Sequence, residues 1–194
     1  MRRLSFALPL LAVLLPVFSA CSGKDYTPKP RAYYRITLPE PAYQWWDTAY
    51  PYAFAYSTYA EIIPREDETA EPYWVNLHYP LWDATLHISY KPVQGNLDQL
   101  IADARFFTTK QIPKAEDMIE TAVSDTARQV YGRIYEITGV HVACPYQFWL
   151  TDRTRHFFRA ALYFHRVPNN DSIAPVLAFV ENDMRHLVET FTWR

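Results

Sequence analysis

The sequence predicts an α+β fold: a single domain with a mostly antiparallel sheet, flanking helices and a C-terminal helix. Three observations predict it. Short segments alternate apolar and polar residues, as half-buried strands do; several links between them have the length of a hairpin; and the C-terminal segment repeats apolar residues at helical spacing. A chain of 194 residues is long enough to bury one sizeable core.

The first strands lie in the N-terminal half of the domain. Tyr52, Phe54 and Tyr56 alternate with alanines, which predicts a strand with small residues on one face. A charged loop at 65–71 follows. Segments 74–79 and 84–90 then alternate in the same way, and the link between them is short enough for an antiparallel hairpin.

A helical insertion comes next. Gly95 and Asn96 precede an apolar face, so we predict a helix with Asn96 as its N-cap and Gln99 completing a capping box. Pro113 is expected to end this helix and to begin a second, shorter one through 118–122.

The C-terminal third predicts three more strands, at 129–137, 146–151 and 157–165, the last two joined by a polar turn. A final helix follows. Its apolar face is formed by Ile173, Val176, Leu177, Val180, Met184, Leu187, Val188 and Phe191.

The beginning of the chain has the pattern of an export signal. Arg2 and Arg3 precede an uncharged apolar run that ends in small residues directly before Cys21. The four residues ending at Cys21 resemble a bacterial lipobox, so we predict a lipoprotein signal peptide at 1–20, lipidation of Cys21 and a tether at 21–31. Attached acyl chains such as palmitate would anchor the protein without a spanning helix. An ordinary cleaved signal with an incidental cysteine is the alternative.

Composition and motifs argue against several functions. A net charge of −2 disfavours nucleic acid and polybasic membrane binding. With 4 Gly in all, phosphate-cradling loops and nucleophile elbows are missing from the sequence. We therefore predict no enzyme activity, cofactor or metal. Asp152 with His156, and Asp183 with His186, remain as acid–base or metal fragments, although turn and helix polarity explains both more simply. Cys144 has apolar neighbours and is expected to be a small buried side chain, the alternative being a reactive thiol.

Two groups of residues are candidates for other sites. Tyrosines and cations near the tether, which favour protein contacts, form a candidate partner-binding strip: Lys29, Arg31, Tyr33, Tyr34 and Arg35. In the alternative reading this segment only wraps the domain. Three Asp-Ser/Thr-apolar triplets resemble O-glycosylation acceptors, namely those at Thr48, Thr126 and Ser172, although such triplets also form ordinary turns.

Six motifs stand out along the chain: the opening 25–31 (Asp-Tyr-Thr-Pro-Lys-Pro-Arg) with 35–40, then 130–132, 146–152, 156–164, and 168–172 with Pro175-Val176. These motifs resemble the gliding-motility lipoprotein family GldD. Together they extend over the whole predicted domain, 32–194. Ala32 and Ala160 depart from the family, which favours glycine at both places, and neither change puts the fold in doubt.

The resemblance implies a lipoprotein of the bacterial cell envelope that is needed for gliding, in bacteria whose adhesins use type IX secretion. It brings no enzymatic activity and no catalytic residue, and only the lipidated Cys21 maps onto this chain. We expect membrane attachment through the lipid, contacts with other gliding or secretion-machinery proteins, and a periplasm-facing position on the outer membrane, with the inner membrane as the alternative.

A second hypothesis is a lipid-anchored module that binds a glycan or apolar cargo. A cavity lined by Trp45, Trp46 or Trp82 would favour ligand binding, whereas a flat exposed aromatic patch would favour a protein partner.

Overall fold

The structure, a computed structural model, describes residues 36–165 and 169–194. These residues form two α-helices, α1 (Leu97–Thr109) and α2 (Asn170–Thr190), and short 3-10 helices at Pro80–Trp82 and Ile112–Lys114. The strands in chain order are β1 (Tyr43–Trp46), β2 (Tyr52–Ser57), β3 (Glu61–Pro64), β4 (Val75–Tyr79), β5 (Ala84–Pro92), β6 (Asp117–Asp125), β7 (Val130–Thr138), β8 (Tyr146–Thr151), β9 (His156–Phe164) and β10 (Thr192–Trp193).

The strands form two antiparallel sheets. The larger sheet has the order β3-β4-β5-β9-β8-β7-β6, and the smaller has the order β1-β2-β10. The consecutive strands that pair are β1–β2, β3–β4, β4–β5, β6–β7, β7–β8 and β8–β9. Strands β5 and β9 instead pair across the sequence that contains α1, β6, β7 and β8. The predicted α+β class with a mostly antiparallel sheet is confirmed.

One face of the large sheet, called the inner face, carries the main core. Alternate residues of its strands pack there against α2 and β2. Phe158, Ala160 and Leu162 of β9 are buried and Phe164 packs against them, as the alternation predicts. The predicted apolar face of α2 is confirmed too, because Val176, Val180, Met184, Leu187 and Val188 are buried. Removing this apolar area from water is the main favourable contribution to folding.

The opposite face, the outer face, is only partly covered. Leu100 and Ala104 of α1 pack on Phe157 of β9 in a small apolar cluster. A second small cluster contains Tyr135, Ile137 and Val142. Side chains that point outward on either side of α1 therefore line grooves rather than a closed core.

The predicted second helix at 118–122 is wrong, since these residues belong to β6. This strand pairs with β7 from Asp117 to Asp125 at the edge of the sheet. Its side chains are mostly exposed, so its sequence lacks the apolar alternation that marks a half-buried strand. The short strands β1, β3 and β10 were not predicted from the sequence, because their stability comes from pairing with distant residues.

Helix α1 begins where the sequence predicts, with Asn96 as its N-cap residue, but the predicted capping box does not form. The Asn96 side chain accepts a hydrogen bond from the Gln94 N–H at 2.8 Å instead of capping the helix. The Gln99 amide donates to Asp103 at 2.7 Å and so does not reach back to Asn96. The helix ends at Thr109, and Pro113 lies in the 3-10 helix that follows.

Candidate functional site

A row of arginine and tryptophan side chains crosses the outer face of the large sheet. Ser89 pairs with Arg159, Arg159 with Trp149, and Trp149 with Arg133 in the strand registers. On the other side, the N–H of Arg65 bonds to the carbonyl of Trp74 at 3.0 Å. Val75, the next residue, pairs with Ile88, and continuing this β4–β5 register by one residue places Trp74 beside Ser89. We call this set the arginine–tryptophan row; it contains Arg65, Trp74, Ser89, Arg159, Trp149 and Arg133.

Helix α1 lies over the middle of this face and leaves a groove on each side. The groove toward β4, β5 and β9, called the α1 groove, has a volume of about 400 Å³. Its lining contains four side chains that are basic or can become so, Arg65, Lys91, Arg159 and His87, but only one carboxylate, Asp103. The groove toward β6, β7 and β8 has a volume of about 450 Å³ and is lined by Trp149 and by Arg105, Arg133 and Arg153.

Arg159 differs from the other arginines of the row because it has no carboxylate partner among the described residues. Arg65 pairs with Asp67 at 2.5 Å, and Arg133 pairs with Glu120 at 2.8 Å. Arg159 instead donates to Oε1 of Gln147 at 2.9 Å, and its guanidinium lies 4.8 Å from the Phe107 ring centre. Burial lowers the pKa of Arg159, since a desolvated charge without a counter-ion is disfavoured.

Trp74 organises the other two cations of the α1 groove. Arg65 lies 5.1 Å and Lys91 5.7 Å from the centre of its ring system, within the range of cation–π attraction. Its indole N–H donates to the Tyr90 carbonyl at 2.8 Å, which fixes the ring on the sheet. Lys91 also pairs with Glu71. The charged loop at 65–71 thus supplies counter-ions to this groove through Asp67 and Glu71.

A third cavity lies beside Trp82, at the amino end of α2. Its volume is about 310 Å³, and its walls include Leu81, Trp82, Val142 and Phe164. Asn170, also in its lining, is buried and donates to the carbonyls of Gly139 at 2.8 Å and Val142 at 3.1 Å. A cavity lined by Trp82 is one of the features that we expected to favour ligand binding. Trp45, by contrast, is 50% exposed.

The Asp152 and His156 fragment builds a turn rather than an acid–base pair. Asp152 accepts hydrogen bonds from the backbone N–H groups of Thr154, Arg155 and His156, at 2.8 to 3.0 Å. Burial alone would raise the pKa of Asp152, but these donors lower it to about 2. The His156 ring stacks on Trp193, and its Nδ1 lies 2.7 Å from the Tyr90 hydroxyl.

Asp183 and His186 have different contacts, although the charge of His186 does oppose the rise that burial causes in the pKa of Asp183. The His186 ring stacks on Tyr43 of β1, with ring centres 3.7 Å apart. Asp183 is buried, which raises the pKa of its carboxyl. The hydroxyls of Ser57, Tyr43 and Tyr79 lie near the Asp183 carboxyl and oppose this rise in pKa. Neither oxygen of the Asp183 carboxyl, however, forms a hydrogen bond of good geometry with a described residue.

The remaining predicted residues fall into three groups. Cys21 and the partner-binding strip Lys29, Arg31, Tyr33, Tyr34 and Arg35 lie outside the described residues. Thr48, Thr126 and Ser172 are all exposed. Cys144 is buried, as predicted.

Sequence reasoning did not single out Arg159 or the row. The available signal was a lone arginine on the outward-facing register of an otherwise apolar strand, at 157–164. A long cation placed there must either find a counter-ion or remain available to one.

Within the described residues, 36–165 and 169–194, no three His, Cys, Asp or Glu side chains come together as ligands for a metal ion. Within the same ranges, neither α-helix is long and apolar enough to span a bilayer.

The fold and its grooves define an α+β domain in which one sheet face is sealed by a helix and the other remains open to contacts. Residues 23–193 match the model of the family described as gliding motility lipoprotein GldD. The chain belongs to this family, which makes it a membrane-anchored envelope lipoprotein associated with gliding motility.

Other comparisons add little to this assignment. The solution structure of cyanobacterial PsbP (CyanoP) from Synechocystis sp. PCC 6803 resembles 87% of this chain and 100% of its own, with 15% identity and a TM-score of 0.49. Among curated proteins, none matches the chain.

Proposed function

We propose that the protein is lipidated at Cys21 after removal of residues 1–20. We further propose that it acts through protein–protein contacts, as a component or assembly factor of the type IX secretion-associated gliding apparatus. We place it on the periplasmic side of the outer membrane. The observation that carries the proposal is the family match over residues 23–193. It is supported by the large apolar side chains that the described surface leaves exposed around the end of α1, Phe106, Phe107 and Ile112.

The first experiment is crosslinking of the full lipidated protein in native envelopes, followed by affinity capture and mass spectrometry. Stoichiometric recovery of gliding or secretion-machinery proteins is expected. The matched control is Cys21→Ala, which cannot be lipidated and should lose both the membrane fraction and the partners. Recovery of the protein alone, or of the same proteins with the control, would contradict the proposal.

The strip formed by Lys29, Arg31, Tyr33, Tyr34 and Arg35 is proposed as one contact of this component. Arginine and tyrosine are among the residues that most often dominate protein interfaces. The double variant Arg31→Ala, Arg35→Ala should abolish gliding at an unchanged protein level. A fall in thermal stability that matches the functional loss would instead show that the strip only supports the domain.

A second candidate function is ligand binding at the cavity beside Trp82. Its volume of about 310 Å³ and its mainly apolar walls suit a small glycan or an apolar group. Mass spectrometry of the protein extracted from envelopes under native conditions tests this. A bound small molecule that is lost in Trp82→Ala, with no envelope partner recovered, would favour the second function over the first.

A further inference from the structure

We propose that the α1 groove docks an acidic segment of a partner protein, in which one carboxylate pairs with Arg159 and a neighbouring apolar side chain packs on Phe106 and Phe107. The inference rests on the proposed function, because it names the surface and the partner chemistry through which an envelope component would act.

The positive charge of the groove is concentrated on Arg159. The cations of Arg65 and Lys91 already have counter-ions in Asp67 and Glu71. Arg159 is half-buried and has no such partner in the described chain. A charge that has lost water without gaining a counter-ion is costly, so a carboxylate from outside removes that cost as it binds.

The guanidinium is also held in position before any ligand arrives. Arg159 lies in the central strand β9, its side chain bonded to Gln147 of β8 and in contact with the Phe107 ring. Gln147 is itself buried, and its amide nitrogen has no hydrogen-bond partner among the described residues. A planar guanidinium with a fixed orientation offers parallel N–H donors, which suit a carboxylate in two-point contact.

An apolar rim lies next to this cation. Phe106 is 57% exposed and Phe107 45% exposed at the end of α1. Nζ of Lys110, which pairs with no described carboxylate, lies 4.4 Å from the Phe106 ring centre and 5.4 Å from that of Phe107. Aromatic side chains beside arginine are typical of the residues that contribute most to protein interfaces.

A protein segment suits these features better than a saccharide does. Sugars stack on free aromatic faces, but the Trp74 ring in the groove has Arg65 and Lys91 over it. The chain as a whole is acidic, with a net charge of −2. An acidic partner is therefore attracted by this local cluster and not by the overall charge.

Asp103 gives the groove an opposing charge. Its carboxylate is part of the lining and accepts a hydrogen bond from Gln99 at 2.7 Å. It repels an acidic ligand at the α1 side, so Asp103→Asn is expected to strengthen binding where Arg159 substitutions weaken it.

The test uses the full-length lipidated protein in detergent micelles and a phage library of random decapeptides. We expect the selected peptides to contain Asp or Glu next to Phe, Leu, Ile or Met. Arg159→Met should lower the affinity of a selected peptide about tenfold or more, and Asp103→Asn should raise it about threefold. Arg155→Ala is the matched control, because this arginine is 75% exposed and does not line the groove. The Arg155→Ala protein should bind the selected peptide with unchanged affinity.

Folding and binding are separated by a second variant. Arg159→Gln removes the charge and keeps a polar side chain at this position, so it should lose binding while its thermal midpoint stays within about 4 °C of the wild type. The proposal would be overturned if the library gave no enriched peptides or gave peptides without acidic residues. It would also be overturned if the Arg159 variants bound a selected peptide as well as the wild type does, or if the protein bound trigalacturonate in place of peptides.

The same variant distinguishes this proposal from the proposed function. If Arg159→Gln still recovers the partners of the wild type from native envelopes, the groove is not their docking surface and the proposed function stands. If the wild type itself recovers no partner, the proposed function fails first.

Discussion

Arg128 donates a hydrogen bond of 2.9 Å from Nη1 to the carbonyl oxygen of Phe191. The same nitrogen also donates to the carbonyl of Glu189. Arg128 lies in the turn between β6 and β7, where Nε pairs with Asp125 at 2.8 Å. A cation that binds the last carbonyls of a helix satisfies groups that have no partner within the helix, and it also interacts favourably with the helix dipole. The turn therefore holds the carboxyl end of α2 against the sheet.

Arg128→Ala should lower the free energy of unfolding by about 1–3 kcal/mol, because it leaves the carbonyls of Glu189 and Phe191 without their donor. Urea denaturation followed by circular dichroism measures the change. Arg155→Ala, which removes a 75% exposed arginine, should change stability by less than about 0.5 kcal/mol. Equal effects of the two variants would show that the helix end does not depend on Arg128.

Gly132→Ala should be strongly destabilising. A Cβ atom at this position would lie 2.0 Å from the carbonyl oxygen of Trp149 in the neighbouring strand. Because that atom belongs to the backbone, the strands must separate, at a cost of about 3 kcal/mol or more. Gly95→Ala is the comparison, since Gly95 has φ +74° but open space around it, and only about 1 kcal/mol of backbone strain is expected. Thermal unfolding distinguishes the two; a mild Gly132→Ala would contradict the close pairing of β7 and β8.

Glu181 makes stability depend on pH. Burial and the nearby charge of Glu136 raise the pKa of Glu181 to about 7, against a lowering by Arg185. Because the folded-state pKa lies above the unfolded value, the folded state holds the proton more tightly. The contribution to stability is complete below about pH 4.5 and falls as the pH rises toward 7.

Glu181→Gln should therefore stabilise the protein at pH 8 and leave it nearly unchanged at pH 4.5. The full shift corresponds to about 3 kcal/mol, and partial exposure to solvent reduces the expected gain to about 1–2 kcal/mol. Urea unfolding of both proteins at several pH values measures it. A difference that is the same at pH 4.5 and pH 8 would show that Glu181 does not titrate in this range.

Cys144 should be chemically inert in the native protein. Its thiol is fully buried, and burial raises its pKa to about 12, so almost no thiolate exists at neutral pH. Iodoacetamide at pH 8 should label it only after unfolding in urea. Ser172→Cys places a thiol at an exposed position and should be labelled at once. Peptide mapping that finds rapid modification of Cys144 without denaturant would contradict its burial.

We propose that Thr48, Thr126 and Ser172 carry O-linked glycans when the protein is made in its own envelope. All three are exposed, so an enzyme can reach their hydroxyls. Intact-mass spectrometry should find hexose-containing additions that disappear in the matching Thr→Ala and Ser→Ala variants. A mass equal to that of the unmodified lipoprotein would end the proposal.

Much of the fold could be predicted because its signals are local. Phe158, Ala160 and Leu162 alternate along β9 with outward-facing residues, and the apolar positions of α2 recur at helical spacing. Strand β6 could not be predicted, because most of its side chains face solvent and its conformation follows from pairing with β7. Asn96 is the N-cap residue of α1, as predicted, but its side chain accepts a hydrogen bond from Gln94 in the preceding turn and does not cap the helix.

The candidate site was less accessible to prediction than the fold. Asp152 and His156 are close in sequence, yet they do not form an acid–base pair, because the Asp152 carboxylate accepts hydrogen bonds from backbone N–H groups. Arg159 and Trp74, in contrast, are distant in sequence and share the α1 groove only because β4, β5 and β9 are neighbours.

The sequence by itself determined the fold class, most of the strands and helices, the burial of Cys144 and the family, because periodicity and short motifs are properties of neighbouring residues. Only the tertiary structure decided the order of the strands, the edge strand β6 and the arginine–tryptophan row. These features depend on strand register. Register is set by pairing between residues far apart in the chain, so no local pattern specifies which side chains meet across a sheet.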